Sequence, residues 1–413
     1  MNFNNTLSPF KYFPLLTLAF FYACAPVKKV TVSVNSGIMK ETYFVKKSDP
    51  AIKQGHYLQA YYGIPITEGD YKDDKRTGTW YFNDYAGKIN FSGSYNEGLK
   101  QGLWTYYDNA RVKCRIYHNH GTVDSAFAFH DNGKLSYEME LDENKNGLVK
   151  SYYKSGALKD LFPVKNHRVE GIYKLYFENG QLHRETEIKA GREIKILKTY
   201  DLTGGPLDGG ALEGGDGTMI QYYLPDDMND RSLKKYRVDT YEDGILNGES
   251  KLYGKNGRLE ETGQYKNGYL SGPWQLYKED GNLLSQVNYD ADTTHPVAKS
   301  ENTVIYFSEA AYERDETKLD FQGGEKERVL FIQRSVNYPR RARADGVEGK
   351  VFINFVISEN GELLKYRLIK KVNPELDAEV IRILKLMPRW NPSFHNGLPG
   401  KTSYNMPINF RLK

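Results

Sequence analysis

Residues 93–104 read GSYNEGLKQGLW, and residues 263–274 read GQYKNGYLSGPW. Three glycines, a tyrosine and a tryptophan fall at the same places in both. Sliding the template G-x-W-x-x-Y-x-x-x-G along the chain finds it, in full or in part, at the anchors Trp80, Trp104, Ala126, Val149, Tyr173, Leu197, Met219, Ser250 and Trp274. These anchors stand 22–24 residues apart, except for a longer step from 219 to 250. A fixed period of this size means an array of stacked units.

Each unit reads as one hairpin. Asn179-Gly180 and Asn267-Gly268 supply tight turns. The aromatic residues of one hairpin cannot be buried alone, so each copy supplies the hydrophobic neighbour that the next one lacks. Composition agrees. The 413 residues include 33 Tyr and 38 Gly, a combination of half-buried strand residues with residues suited to positive φ. The formal net charge of +4 gives no clustered basic face for nucleic acid. The short cluster Arg340, Arg341 and Arg343 reads as a solvated helix end.

The motifs at 93–104 and 263–274 resemble MORN-type repeats in their bacterial variant form. The resemblance covers roughly residues 55–290. It implies an elongated single-layer antiparallel sheet used as a scaffold, with no catalytic residues. The tyrosine stripe reads as core. A run at 204–217, GGPLDGGALEGGDG, interrupts the array. Its Asp208, Glu213 and Asp216 lack the spacing of a calcium loop, and the run is expected to be a mobile insertion. YHNHG at 117–121 is expected to set His118 and His120 on one strand face, with no Cys or carboxylate to complete a metal site. No metal and no cofactor are expected.

Lys11 is followed by YFPLLTLAFFYAC. This apolar run is shorter than the ~20 residues that span a bilayer and suits the h-region of an export signal. It ends in Ala23-Cys24, which resembles a bacterial lipoprotein signal. The resemblance implies removal of residues 1–23 and a diacylglycerol on Cys24, hence a membrane-anchored chain. A plain cleaved signal with an incidental cysteine is the alternative. Residues 24–54 are expected to form a tether and the first strands. Cys114 is then left alone, as a small buried hydrophobe in a strand. No Asp and no acidic cluster follow Cys24, so the expected location is the periplasmic face of a Gram-negative outer membrane.

The repeat fails after about residue 290. Residues 291–325 read as a connector and 326–413 as a second domain. Residues 329–343 suit a helix interrupted near Tyr338-Pro339. Val351, Ile353, Phe355 and Ile357 alternate as a strand with one buried face, and Asn360-Gly361 turns into a returning strand. Asn373 caps a helix opened by Pro374, along which Leu376, Val380, Ile383 and Met387 form a stripe. Tyr404, Met406, Ile408, Phe410 and Leu412 alternate to the end. The fold class is therefore mainly β: an elongated single-layer array of antiparallel hairpins followed by a small α+β domain. Pro407 lacks an N–H, so the last strand is expected to lie at a sheet edge or to carry a bulge.

Tyr338-Pro339, Gly346-Val347-Glu348-Gly349-Lys350-Val351, Asp377 with Glu379-Val380, Met387-Pro388-Arg389-Trp390-Asn391-Pro392, Asn396-Gly397 and Met406-Pro407-Ile408-Asn409-Phe410 together resemble the C-terminal domain of TonB, the periplasmic energy transducer. In that family the last strand pairs with a short segment of outer-membrane transport receptors. Carried over, the partner-binding strand is Ser403, Tyr404, Asn405, Met406, Pro407, Ile408, Asn409 and Phe410. The family's uncleaved inner-membrane helix and Pro-rich spacer are not expected here, since 16 prolines are scattered along the chain.

The function expected is that of a non-enzymatic envelope lipoprotein. It presents a TonB-like domain for strand addition to an outer-membrane transporter or another envelope protein. A peptidoglycan-binding or structural spacer protein and an energy-transducer-type component of transmembrane transport are the alternatives. No catalytic constellation stands at recognisable spacing, and no nucleic-acid partner is expected.

Overall fold

A computed structural model describes residues 27–34, 38–166, 168–223, 233–289, 319–395 and 398–412. The export signal, Cys24 and most of the connector lie outside the described residues. Within each of the two large sheets the strands run in sequence order and pair antiparallel with their neighbours, with the two-residue Arg168–Val169 off this path on Leu158–Lys165. One 16-stranded sheet extends from Val27–Val34 to Arg192–Thr199, and a six-stranded sheet from Gly217–Tyr222 to Leu283–Asn288.

The repeated sentence has a steric cause. Gly93 stands directly across from Trp80 in the register. A Cβ added to it would fall 2.2 Å from the Trp104 ring, and the same 2.2 Å holds for Gly69 against Trp80 and Gly263 against Trp274. Each indole thus lies flat on a glycine of the preceding strand. Its Nε1 donates to the carbonyl one residue further on: Asp70 at 3.3 Å, Ser94 at 3.1 Å and Gln264 at 3.1 Å. The tyrosine two residues after each glycine closes edge-on, with centroids 5.1, 5.0 and 5.2 Å from the indole. The other glycine of G-x-W is left-handed, with φ 65, 69 and 63 at Gly78, Gly102 and Gly272. It accompanies a register shift beside each glycine under a ring, as a bulge requires.

The anchors Ala126, Val149, Tyr173, Met219 and Ser250 are buried as their period demands. Leu197 is not, being 38% exposed. Two register shifts between Leu182–Lys189 and Arg192–Thr199 put Ile196 opposite buried Thr186 and leave Leu197 without a partner. The large sheet ends at this fault.

The run at 204–217 is not a mobile insertion. It links the two sheets through backbone hydrogen bonds: Leu207 N to Thr199 O at 2.8 Å, Gly215 N to Ile194 O at 2.8 Å and Ile220 N to Gly209 O at 2.8 Å. Leu202 and Leu212 are buried. Its acids are engaged locally: Asp208 accepts from Gly210 N, Glu213 from Lys195 Nζ, and Asp216 from Asp243 N. Cys114 is fully buried in the strand Arg111–Asn119. His118 is the penultimate residue of that strand, buried, whereas His120 sits in the following turn with φ 48. The two histidines therefore do not share a strand face. Among the described residues no group of three or more His, Cys, Asp or Glu could hold a metal.

Leu319 and Phe321 join the buried cluster of the C-terminal domain. A short strand, Asp320–Phe321, precedes helices α1 (Gly324–Ser335) and α2 (Arg340–Ala344). The expected helix is split at Pro339, which caps α2, and Arg340, Arg341 and Arg343 are exposed there. The strand Gly349–Ile357 is central, flanked by Leu363–Lys370 and Thr402–Phe410. Helix α3 (Pro374–Leu386) is capped by Asn373, whose Oδ1 accepts from Glu375 N at 2.8 Å. Leu376, Val380 and Ile383 on α3 join Val351, Ile353, Phe355 and Ile357 in one buried cluster. Among the described residues no helix joins the opposite face of this sheet.

Two measurements check this account. Gly93→Ala should cost about 3 kcal/mol, as overpacking under a rigid ring does. In a Trp104→Ala background the same change should cost less than about 1 kcal/mol; equal costs in urea titrations of both backgrounds would refute the indole-on-glycine contact. Burial pushes His118 and His183 down to about 4. A base whose folded value is depressed contributes stability that is complete above its unfolded value, near 6.5, and lost as pH falls toward 4. The urea midpoint should therefore drop across that window, and His118→Leu should flatten the drop.

Candidate binding edge and the interface that orients it

The last strand pairs with the central strand along its whole length, from Gly349 opposite Phe410 to Ile357 opposite Thr402, with no register shift. Its other side has no strand among the described residues. The expected binding strand therefore lies at an edge, but its side chains divide. Met406, Ile408 and Phe410 are buried, and Tyr404 packs on Trp390 and Phe355 with centroids at 5.2 and 5.7 Å. Ser403, Asn405, Pro407 and Asn409 are exposed. A partner at this edge meets backbone first and these four residues second.

Pro407 stands opposite Phe352 in an unbroken ladder. Its missing N–H is tolerated there because that position points away from the central strand. By the alternation of a strand, Ser403, Asn405 and Asn409 turn their N–H and C=O groups to the same free side. The two edges of the sheet differ in charge. Leu363–Lys370 carries Lys365, Arg367 and Lys370, whereas Thr402–Phe410 carries no charged residue. Lysines on an edge discourage pairing, so one edge is guarded and the other is not.

The C-terminal domain packs against the array. It sits on the array's aromatic stripe. Arg76 and Lys100 each stand four residues before a tryptophan, and lie 4.8 Å and 4.5 Å over the rings of Trp80 and Trp104. The turn after the central strand meets this cationic column. Glu362 accepts from Arg76 Nη2 at 2.7 Å and lies 3.2 Å from Arg389 Nη2. The Arg389 guanidinium covers the Phe82 ring at 4.3 Å. Tyr106 donates to Asn360 Oδ1 at 3.3 Å and accepts from Lys100 Nζ at 3.0 Å. Tyr61 donates to Glu327 at 2.5 Å, and Phe394 joins the array's own buried cluster.

The electrostatics follow from burial and neighbours. Burial alone would raise the Glu362 carboxyl, but Arg389 and Arg76 outweigh it and hold it below the ordinary range. Burial pulls Arg389 down while Glu362 pulls it up; a guanidinium starts so far above neutrality that it stays charged. Burial pushes Lys100 down to about 8, against the pull of Glu359 and Glu362. The sequence signal for this interface is the cation four residues before Trp80 and Trp104, a position outside the repeat template.

Comparison with known families agrees with the geometry. Residues 334–412 match the Gram-negative bacterial TonB protein C-terminal model. Residues 169–190, 246–267 and 270–291 match the MORN repeat variant. The chain thus carries MORN-type repeats and a TonB-like C-terminal domain, in the setting of a Gram-negative cell envelope. No curated protein matches the chain. The units around Trp80 and Trp104 fall outside the matched repeats, yet their indoles sit on glycines at the same 2.2 Å as in the matched unit of Trp274.

Glu362→Gln leaves two guanidinium groups without their carboxylate. With the Glu362 side chain about a third exposed (34%), the expected loss is about 2 kcal/mol, below the range for a fully buried pair. Arg76→Met combined with Glu362→Gln should cost less than the sum of the two single changes. Additive costs in denaturant titrations would show that this pair does not couple the domain to the array.

Proposed function

We propose that this chain is a non-enzymatic envelope lipoprotein, held to the membrane through an acylated Cys24, that captures an extended periplasmic segment of an outer-membrane transporter or another envelope protein. The segment adds as a further antiparallel strand beside residues 403–410. The observation that carries this reading is the contrast between the two edges of one sheet: three cations on Leu363–Lys370 and none on the unpaired Thr402–Phe410. An uncharged, unpaired edge is otherwise a liability for aggregation. The array serves as scaffold and, through Arg76, Lys100 and Tyr106, fixes the direction in which the edge faces.

Recognition in this mode is mainly backbone to backbone, with Ser403, Asn405 and Asn409 each offering an N–H and a C=O, and Pro407 only a C=O. Asn405→Pro then removes one outward donor without touching the ladder to the central strand. Isothermal titration of residues 25–413 with periplasmic N-terminal peptides of transport receptors should show binding that weakens about tenfold in Asn405→Pro, the scale of one lost hydrogen bond plus a steric block. The unfolding midpoint should change little. Absence of heat with every such peptide, or equal affinity for the proline variant, would sink the proposal.

A further inference from the structure

The sheet of the C-terminal domain contains no Asp or Glu. Gly349–Ile357, Leu363–Lys370 and Thr402–Phe410 read GKVFINFVI, LLKYRLIK and TSYNMPINF. Four cations remain, and they gather on the face away from α3. Val351, Ile353, Phe355 and Ile357 are buried toward α3, so Lys350 lies on the opposite face. Lys370 stands opposite Phe352, Arg367 opposite Asn354 and Lys365 opposite Val356, which puts them on that face too. All four are exposed, and among the described residues none of them has an ion-pair partner.

The edge strand carries a second feature. Register shifts between Phe352/Ile353 and Val356/Ile357 leave Ile369 and Leu364 unpaired as bulge residues. A bulge re-aims the residue it frees. Here both freed residues are large, apolar and exposed, at 48% and 51%, and they bracket Lys365 and Arg367. Guarding an edge needs the cations alone; it does not call for two exposed aliphatic side chains beside them.

We propose that the open face and guarded edge of this sheet rest on an anionic phospholipid layer. The lysines and the arginine meet headgroup phosphates, and Leu364 and Ile369 enter the interfacial zone, the combination that surface-bound segments use. Nucleic acid fits less well, because the face offers only a half-buried Phe352 under Lys350 for stacking. An acidic protein segment would answer the cations but not the two aliphatic residues. This inference is independent of strand capture, because the central strand separates the two edges.

The test is co-sedimentation of residues 25–413, which keep every described residue and lack Cys24, with vesicles containing phosphatidylglycerol and with pure phosphatidylcholine vesicles. Binding should require phosphatidylglycerol and weaken with salt. Lys365→Gln with Arg367→Gln should reduce it about thirtyfold, at about fivefold per neutralised cation. Leu364→Ser with Ile369→Ser should reduce it about tenfold or more. Unchanged urea midpoints would show that both variants are folded. No binding to phosphatidylglycerol vesicles, equal binding to phosphatidylcholine, or insensitivity to the serine changes would each overturn the proposal.

Discussion

An indole lying flat on a glycine of the neighbouring strand is the contact on which this molecule depends. At Gly93 the sheet leaves no room for a methyl group, because the space is filled by Trp104. The same contact explains why the motif needs two kinds of glycine. One is a floor for the ring, and the other takes a left-handed turn beside a register shift that brings the ring over that floor. The neighbouring tyrosine then closes the ring from its edge. None of these contacts requires a second layer, so a long single sheet can form from local pairings alone, strand by strand, in sequence order.

A single layer has a price that the rest of the chain answers. Its aromatic stripe is large and would meet water on one side. Over Phe82 and Tyr106 the C-terminal domain provides the missing layer through Arg389, Asn360 and Phe394, the last of which enters the array's own cluster. Arg76 and Lys100 serve two directions at once. Each stacks on a tryptophan of the array, and each faces the acidic turn of the domain across the interface. The ion group Arg76–Glu362–Arg389 ties the domain to the array, since removing either side would leave a largely buried charge without its partner.

Much of this was legible in the sequence, because the deciding residues are local. The glycine and tryptophan spacing gives the period, Asn373-Pro374 gives the start of α3, and Pro407 marks an edge strand. Other features turn on non-local register. Leu197 keeps the period but loses its burial, because shifts in a neighbouring pair move Ile196 inward instead. The glycine-rich run at 204–217 has the composition of a free loop and yet is held by backbone bonds to strands on both sides. His120 falls in a turn that its spacing from His118 alone does not announce. The docking of the domain was hidden for the same reason: Glu362 is nearly 290 residues from Arg76, and nothing local to either names the other.

The position of the interface decides what is left for other contacts. The domain meets the array through the turn at 358–362, helix α1, the segment 389–391 and the hairpin of Ser393–His395 with Leu398–Gly400. These lie at one end of its sheet. Both long edges and the face away from α3 are therefore not used by docking, and they differ from one another in chemistry. One edge is uncharged and marked by a proline turned outward; the other is cationic with two aliphatic bulges. A free domain on a flexible tether would present these surfaces in every direction. Held by Glu362 and Phe394 to a rigid sheet, it presents them in fixed directions relative to the array, so an orientation set by aromatic packing near Trp80 and Trp104 is carried to the edge at Ser403 and Asn409.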